Sequence, residues 1–178
     1  PLEIPKGVDL RPATEANRER LFSSLGEKVL ETSFLDLCAG TGSYGLEALS
    51  RGAKGGVFVE NNRKAVMCLK NNLLNVRKSA QLNNEVGTIK NREVTEYLKS
   101  EIEQFNLIFL DPPYPLFSKI GSPIFRIIRD QKILANSGLL IHEAPPEEKI
   151  EFPGWSLIRT IGKSKKGSPQ FRLFRLGD

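Results

Sequence analysis

A carboxylate, two prolines and a tyrosine follow one another in the segment Asp111-Pro112-Pro113-Tyr114. The preceding residues, 105–110, are mainly aromatic and aliphatic, a composition that predicts a buried strand. Each proline fixes its own φ and lacks an N–H, and Pro113 disfavours the α region for Pro112. We therefore predict that the four residues are extended and stiff, with the Pro112 carbonyl able to accept a hydrogen bond from a ligand.

These groups suit the binding of a planar exocyclic amine, whose lone pair is delocalised into its π system. The Asp111 carboxylate and the Pro112 carbonyl can accept its two N–H groups and favour a pyramidal nitrogen that attacks an electrophile. Tyr114 can stack on the ring, which contributes about 1–3 kcal/mol per base, and positioning of this kind can lower a barrier by about 7–11 kcal/mol. The structural alternative is a proline turn in which Asp111 caps backbone N–H groups.

A second candidate site follows residues 34–38, which predict a short strand. Residues 40–45, GTGSYG, match the spacing G-x-G-x-x-G, and Glu60 ends the next predicted strand, 56–60. In nucleotide-binding α/β folds, such glycines let the backbone approach a ligand, and a carboxylate at the second strand's end accepts hydrogen bonds from ribose. The pattern therefore predicts a nucleotide-like cofactor.

Asp36 lies just before the glycines, and its negative charge distinguishes between the candidate cofactors. Its charge would repel the pyrophosphate of a nicotinamide dinucleotide, whereas S-adenosylmethionine carries an ammonium, a sulfonium and no phosphate. No Lys-Ser or Lys-Thr pair follows the glycines, which argues against a phosphate-binding P-loop. We predict S-adenosylmethionine; a dinucleotide-dependent oxidoreductase and a purely structural glycine turn are the alternatives.

Composition sets wider limits on the function. The chain has 178 residues, of which 39% are hydrophobic and 26% charged, as expected for one globular domain. Its formal charge of +5 and pI of about 9.3 favour a polyanionic partner. Two cysteines and one histidine predict neither a disulfide framework nor a metal site. Because no apolar run approaches the roughly 20 residues of a membrane helix and no leader opens the chain, we expect a soluble, cytoplasmic protein.

Strand and helix patterns alternate along the chain and predict an α/β domain with a mostly parallel sheet, closed by two antiparallel strands. His142 is predicted to be a packed strand residue. The predicted helices are 15–25, 43–51, 62–76, 93–98 and 124–134, and the predicted strands are 34–38, 56–60, 86–89, 105–110, 138–143, 155–161 and 170–176.

Further candidate contacts lie outside the two motifs. Arg11, Thr14 and Arg18 can meet phosphates, although a solvated helix with intrahelical Glu/Arg pairs explains them equally well. The basic tip 162–167 offers Lys163, Lys165 and Lys166 to a nucleic acid, or is a solvated hairpin tip. Asn91 or Glu93, after the third predicted strand, can accept from an adenine amino group.

Three segments together resemble the bacterial RsmD family of small-subunit ribosomal RNA guanine-N2 methyltransferases. They are RPATEANR at 11–18, LDLCAGTGSYGLEALSRGA at 35–53 and IFLDPPY at 108–114. The resemblance implies a single-domain, Rossmann-like class I methyltransferase fold, seven-stranded, with helices on both faces of the sheet. It also implies S-adenosylmethionine as the donor and a guanine amine of 16S rRNA as the acceptor.

The predicted site combines positions that match the family's motifs with the further candidate contacts named above. Its catalytic residues are Asp111, Pro112, Pro113 and Tyr114, and its RNA-binding residues are Arg11, Thr14, Arg18, Lys163, Lys165 and Lys166. Its cofactor-binding residues are Asp36, Ala39, Gly40, Thr41, Gly42, Gly45, Glu60, Asn61 and Glu93. We further expect an arm and helix at 1–25, a methyltransferase core at 26–178 and a monomer. The alternatives are an amino methyltransferase for DNA adenine or protein glutamine, and an RNA-binding assembly factor without turnover.

Overall fold

Strands and helices alternate along the computed structural model, which describes residues 2–3, 15–145, 151–162 and 169–177. Within these ranges the strands are β1 (Ser33–Leu37), β2 (Gly55–Val59), β3 (Thr88–Lys90), β4 (Phe105–Leu110), β5 (Leu134–Ala144), β6 (Trp155–Ile161) and β7 (Gln170–Leu176). The α-helices are α1 (Glu15–Leu25), α2 (Ser43–Ser50), α3 (Arg63–Ser79), α4 (Val94–Leu98) and α5 (Tyr114–Asp130). A 3₁₀ turn at Gly26–Val29 follows α1.

The strands form one seven-stranded sheet in the order β3-β2-β1-β4-β5-β7-β6. Strands β1 to β5 are parallel, and β7 is antiparallel to both of its neighbours. The predicted Rossmann-like architecture is confirmed. The winding reverses between β1 and β4, and ligands of such sheets bind at the carboxyl ends of the strands on either side of that reversal.

Alternating residues of β1 and β4 pack against helices on opposite faces of the sheet. On the first face, Phe34 and Phe109 pack in one buried cluster with residues of α1, α2 and α3, such as Phe22 and Leu69. On the second face, Leu35 and its strand neighbours pack with residues of α4 and α5. Burial on both faces explains why β1 and β4 read as nearly continuous apolar segments.

Helix α5 begins at Tyr114, far before the predicted start at residue 124. The sequence predicts an extended segment at residues 111–114, but a proline is tolerated in the first turn of a helix, where its missing N–H would have no intrahelical partner. Pro113 is the N-cap residue, with φ −51° and ψ 136°, and Pro115 lies in the first turn. The predicted helix end at Leu134 is also wrong, since Leu134 pairs with Phe105 in the sheet.

Two apolar helix residues lie outside the core. Leu74 of α3 is 44% exposed, and Ala16 of α1 is exposed. Phe22 and its buried neighbours in α1 lie in the core cluster of the first face, so α1 is part of the packed structure. The boundary between residues 1–25 and 26–178 remains a proposal. None of the helices in the described ranges is long and apolar enough to cross a membrane.

Candidate active site

The glycine segment forms a tight turn between β1 and α2. The Gly42 N–H donates to the Ala39 carbonyl at 2.7 Å, which closes the turn. Gly40 and Gly42 have φ values of +56° and +89°, in the left-handed region that favours glycine. The turn is therefore specified locally by the sequence, as the motif predicted.

Glu60 fastens this turn to the end of β2. One carboxylate oxygen accepts from the Gly40 N–H at 2.8 Å and the other from the Asn62 N–H at 2.7 Å. The Asn91 side chain donates to the Glu60 carbonyl at 2.8 Å, which links this position to the end of β3. A carboxylate offers about four acceptor positions, so Glu60 can hold the turn and still accept from a ligand.

Asp36 lies beneath the turn and is only 1% exposed. Its carboxylate accepts from the Gly45 N–H in the first turn of α2 at 2.9 Å. Burial raises the pKa of Asp36 to about 7, the Gly45 hydrogen bond lowers it, and the charge of Glu60 adds to the increase. Asp36 therefore orients α2 through the hydrogen bond from Gly45. Because Asp36 is buried, its charge is the property by which it would influence a bound ligand.

Two glycines of the motif are required by packing. A Cβ at Gly42 would lie 2.3 Å from Cδ1 of Leu69, and a Cβ at Gly45 would lie 2.3 Å from Cε1 of Phe58. The expectation that these glycines mainly admit a ligand is thus incomplete, because they let α2 approach α3 and the sheet.

Asn72 of α3 is a second support that the sequence analysis missed. It is 2% exposed, and its amide donates to the Thr41 carbonyl at 3.1 Å and to the Glu3 carbonyl at 3.2 Å. Its side-chain oxygen accepts from the Glu3 N–H at 2.8 Å. Asn72 thus ties the glycine turn to the amino-terminal residues. A lone asparagine within a helical pattern gave no signal for this role.

The segment Asp111–Tyr114 lies beside the glycine turn. Leu37 of β1 pairs with Leu110 of β4, so both strands end side by side at the reversal of the winding. The Pro113 carbonyl accepts from the Leu116 N–H at 2.8 Å and the Phe117 N–H at 3.0 Å, so the segment leads directly into α5. Tyr114 is therefore helical, not extended as predicted, and is 46% exposed.

His142 of β5 supports this segment from the second face of the sheet. It is fully buried, its Nδ1 lies 2.9 Å from the Leu110 carbonyl oxygen, and its ring stacks on Phe117 with centroids 3.9 Å apart. The prediction of a packed strand residue is confirmed. His142 also holds the residue that precedes Asp111.

Three carboxyl groups lie at the carboxyl ends of β1, β4 and β5. Asp36 and Glu143 are buried, whereas Asp111 remains partly exposed. Burial, with the charges of Glu143 and Asp36, raises the pKa of Asp111 well above its usual range. Tyr44 of α2 donates a hydrogen bond to Glu143. Neither Tyr44 nor Glu143 was among the predicted site residues.

Comparison with known proteins identifies the family. The family described as "Conserved hypothetical protein 95" matches residues 1–175. "Ribosomal RNA small subunit methyltransferase D" of Escherichia coli is 30% identical over 176 residues, covering 98% of this chain and 83% of that protein. The chain belongs to this family, the RsmD family.

One further relative and one solved structure agree with the assignment of this chain to the RsmD family. "Putative rRNA methyltransferase YlbH" of Bacillus subtilis is 31% identical over 155 residues, covering 85% of this chain and 79% of that protein. The solved structure of "Putative methyltransferase yhhF" from Escherichia coli superposes with a TM-score of 0.83 at 27% identity, covering 99% of this chain and 92% of that one.

Asn61 and Glu93 complete the predicted cofactor-binding residues of this RsmD family member. Asn61 is exposed, and Glu93 caps α4 by accepting from the Glu96 N–H at 2.9 Å. Partial burial acts to raise the pKa of Glu93. The hydrogen bonds from Thr95 and from backbone amides outweigh this effect, so the pKa of Glu93 is lowered. An adenine contact by Glu93 stays a prediction, and its capping role is the one that the structure gives.

The predicted RNA-binding residues are only partly described. Arg18 donates to Glu47 of α2 at 3.1 Å, and Arg51 donates to the same carboxylate at 2.6 Å. The Arg18 pair therefore joins two helices and is not the intrahelical pair considered above. Arg11, Thr14, Lys163, Lys165 and Lys166 lie outside the described residues.

Proposed function

We propose that this protein transfers a methyl group from S-adenosylmethionine to the exocyclic N2 of a guanine in 16S ribosomal RNA. The observation that carries the proposal is the juxtaposition of the glycine turn and the Asp111–Tyr114 segment at the adjoining ends of β1 and β4. Membership of the RsmD family supports ribosomal RNA as the acceptor, since the Escherichia coli relative is named for the small subunit.

The residues around the glycine turn suit this donor. Glu60 retains acceptor positions for ribose hydroxyls beyond its two backbone amides. The acidic groups of Asp36 and Glu143 give this end of the sheet a negative potential that favours a cationic ligand. When bound, S-adenosylmethionine would supply an electrophilic methyl group, whose bond to sulfur breaks as the bond to nitrogen forms, with the electron pair staying on sulfur.

The residues of the Asp111–Tyr114 segment then act on the amine. Asp111 accepts one N2 hydrogen and the Pro112 carbonyl accepts the other, which directs the nitrogen lone pair toward the donor site. Tyr114, exposed at the start of α5, stacks on a guanine that has left its own stack. After transfer, one N–H bond breaks, its electron pair stays on nitrogen, and the proton moves to an Asp111 oxygen or to water.

The RNA surface and the cellular setting are part of the same proposal. The formal charge of +5 favours a phosphate-rich partner. We assign the RNA-facing surface to Arg11, Thr14, Arg18 and the lysines of the 162–167 tip. The acceptor is 16S rRNA, free or within the small subunit or one of its assembly intermediates. The enzyme is proposed to act in the cytoplasm as a monomer.

Methyl transfer from labelled S-adenosylmethionine, offered to competing acceptors, tests the reaction class. The acceptors are naked 16S rRNA, small-subunit particles from cells that lack the enzyme, adenine-containing DNA and glutamine-containing protein. We expect label in ribosomal RNA or particles alone. Label in DNA or protein would instead establish one of the other amino methyltransferases, and donor binding without any transfer would point to a non-catalytic assembly factor.

Glu60→Gln tests the proposed donor site. Both Glu60 oxygens accept from backbone N–H groups, so a glutamine must turn its NH2 toward one of these donors. Losing a hydrogen bond to a charged group costs about 1.5–3 kcal/mol, and we expect S-adenosylmethionine to bind about 10-fold to 100-fold more weakly. Calorimetric titration measures this change. Glu19→Gln, on the exposed side of α1, is the control; equal affinity of the Glu60→Gln and Glu19→Gln variants would remove Glu60 from the site.

A further inference from the structure

Glu143 of β5 lies beside Asp111, the first residue after β4. Leu110 pairs with His142 in the parallel ladder, so Asp111 and Glu143 follow this pair at neighbouring positions. Phe109 and Ile141, which precede them by two residues, belong to the core cluster of the first face. Because side chains alternate along a strand, Asp111 and Glu143 both point to that face. They also line one small pocket with Tyr44 and Phe171.

Tyr44 holds Glu143 in place. Its side chain is 5% exposed, stacks on Phe109 with centroids 5.7 Å apart and meets the edge of Phe171 at 6.0 Å. The Tyr44 hydroxyl donates to a carboxylate oxygen of Glu143. A ring enclosed in this way cannot turn away, so the Glu143 carboxylate is fixed next to Asp111.

The surroundings make two negative charges at this position costly. Burial raises the pKa of Glu143, while the Tyr44 hydrogen bond and His142 oppose the increase. The titratable groups that act on Asp111 are Glu143 from β5, Asp36 from β1 and Tyr44 from α2. Two neighbouring carboxyl groups in a buried site resist losing both protons, so one of them retains its proton to a higher pH.

We propose that Glu143, fixed by Tyr44, is a positioning residue that keeps one proton on the Asp111–Glu143 pair and thereby sets the pH at which Asp111 can accept the amine hydrogen. This inference rests on the proposed methyl transfer. Asp111 becomes the acceptor when the pair loses this proton to water: the O–H bond on Asp111 breaks, its electron pair stays on the Asp111 oxygen, and the neighbouring Glu143 carboxylate moves this loss to a higher pH.

Three variants separate charge, hydrogen bonding and general stability. Glu143→Gln removes the charge but keeps an oxygen that can accept from Tyr44. Tyr44→Phe removes the hydrogen bond but keeps the charge. Tyr97→Phe is the matched control, because Tyr97 makes the same kind of hydrogen bond with Glu101 in and after α4, on the second face of the sheet.

The first measurement is the single-turnover methylation rate as a function of pH. For Glu143→Gln we expect the acidic limb, where Asp111 must lose its proton, to move to lower pH by about one unit or more, as removal of a neighbouring like charge predicts. For Tyr44→Phe we expect kcat to fall about 10-fold to 100-fold with the acceptor KM unchanged. Tyr97→Phe should lower the unfolding temperature without altering the limb or kcat.

The second measurement needs no turnover. The infrared band of a protonated carboxyl group, followed by pH titration of the donor-free protein, should have a lower midpoint in Glu143→Gln than in the wild type. Identical midpoints, or an acidic limb that does not move, would overturn the proposal. A wild-type protein without methyl transfer at any pH would instead refute the proposed function, while the infrared titration would still decide whether the two carboxyl groups share a proton.

Discussion

Asp111→Ala is expected to lower the rate of methyl transfer by at least about 100-fold, the lower range for loss of a positioned acid–base group. The variant removes the carboxylate that accepts an amine hydrogen and takes up the released proton. Donor binding should change little, because Glu60 and the glycine turn remain intact. Rapid-quench kinetics with labelled donor measures the transfer step, and calorimetry measures donor affinity. A variant that retains more than about a tenth of the wild-type turnover would contradict this role of Asp111.

The same position predicts an unusual effect on stability. The folded-state pKa of Asp111 is raised by burial and by the charges of Glu143 and Asp36. The folded state thus retains a proton that the unfolded chain has lost, and the stability contributed by this group falls as pH rises above the unfolded-state pKa of about 4. Asp111→Asn keeps the shape without the titration, so it should unfold at a higher temperature than the wild type at neutral pH.

Thermal unfolding at pH 4 and pH 7 tests this effect. The gain in unfolding temperature of Asp111→Asn should be larger at pH 7. At that pH the wild-type carboxyl group ionises in the unfolded chain, which favours unfolding, whereas at pH 4 it does so much less. Asp130→Asn is the control, because the Asp130 side chain is 54% exposed and lies at the end of α5. An Asp111→Asn protein that is less stable than the wild type at pH 7 would show that Asp111 holds the fold together.

Gly42→Ala is expected to give a large loss of stability. The new Cβ would lie 2.3 Å from Leu69 Cδ1 and 2.9 Å from Leu46 Cδ1, where both leucines are buried. Overpacking costs about 1–3 kcal/mol, and the left-handed backbone adds about 1–2 kcal/mol for a residue with a Cβ. In a protein of this size each kcal/mol lowers the unfolding temperature by about 2–4 °C.

Gly26→Ala is the matched control for that experiment. Gly26 has a φ of +55°, but a Cβ there would meet nothing within 4 Å. Its substitution therefore isolates the backbone cost from the steric one. Denaturant titration of both variants gives the difference directly, and equal losses would mean that the contact with Leu69 is relieved without cost.

The sequence predicted the parts of the site that are encoded locally. The glycine turn, Glu60 at the end of β2 and the Asp111–Tyr114 segment each depend on residues that are close in the chain. The apolar strand before Asp111 was predicted with its observed bounds, Phe105–Leu110. Local sequence is informative here because positive φ, proline geometry and buried strands each require particular residue types.

The contacts that position these parts could not be predicted, because they join residues far apart in the chain. Tyr44 meets Glu143, Asn72 meets the carbonyl of Thr41, and His142 meets the carbonyl of Leu110. Each contact depends on the sheet order and on the face to which a side chain points. The predicted start of α5 was wrong for a different reason. A proline can end a helix or occupy its first turn, and the sequence alone did not distinguish these two roles.

Nucleoside analysis of the methylated RNA tests the central claim most directly. Small-subunit particles and naked 16S rRNA from cells lacking the enzyme are incubated with labelled S-adenosylmethionine, and the RNA is digested to nucleosides and separated. The proposed site chemistry predicts that the label appears as N2-methylguanosine from one position, and that Asp111→Ala abolishes it. Label on a ring nitrogen, a ribose oxygen or another base would contradict the assignment of Asp111 and Pro112 to an exocyclic guanine amine.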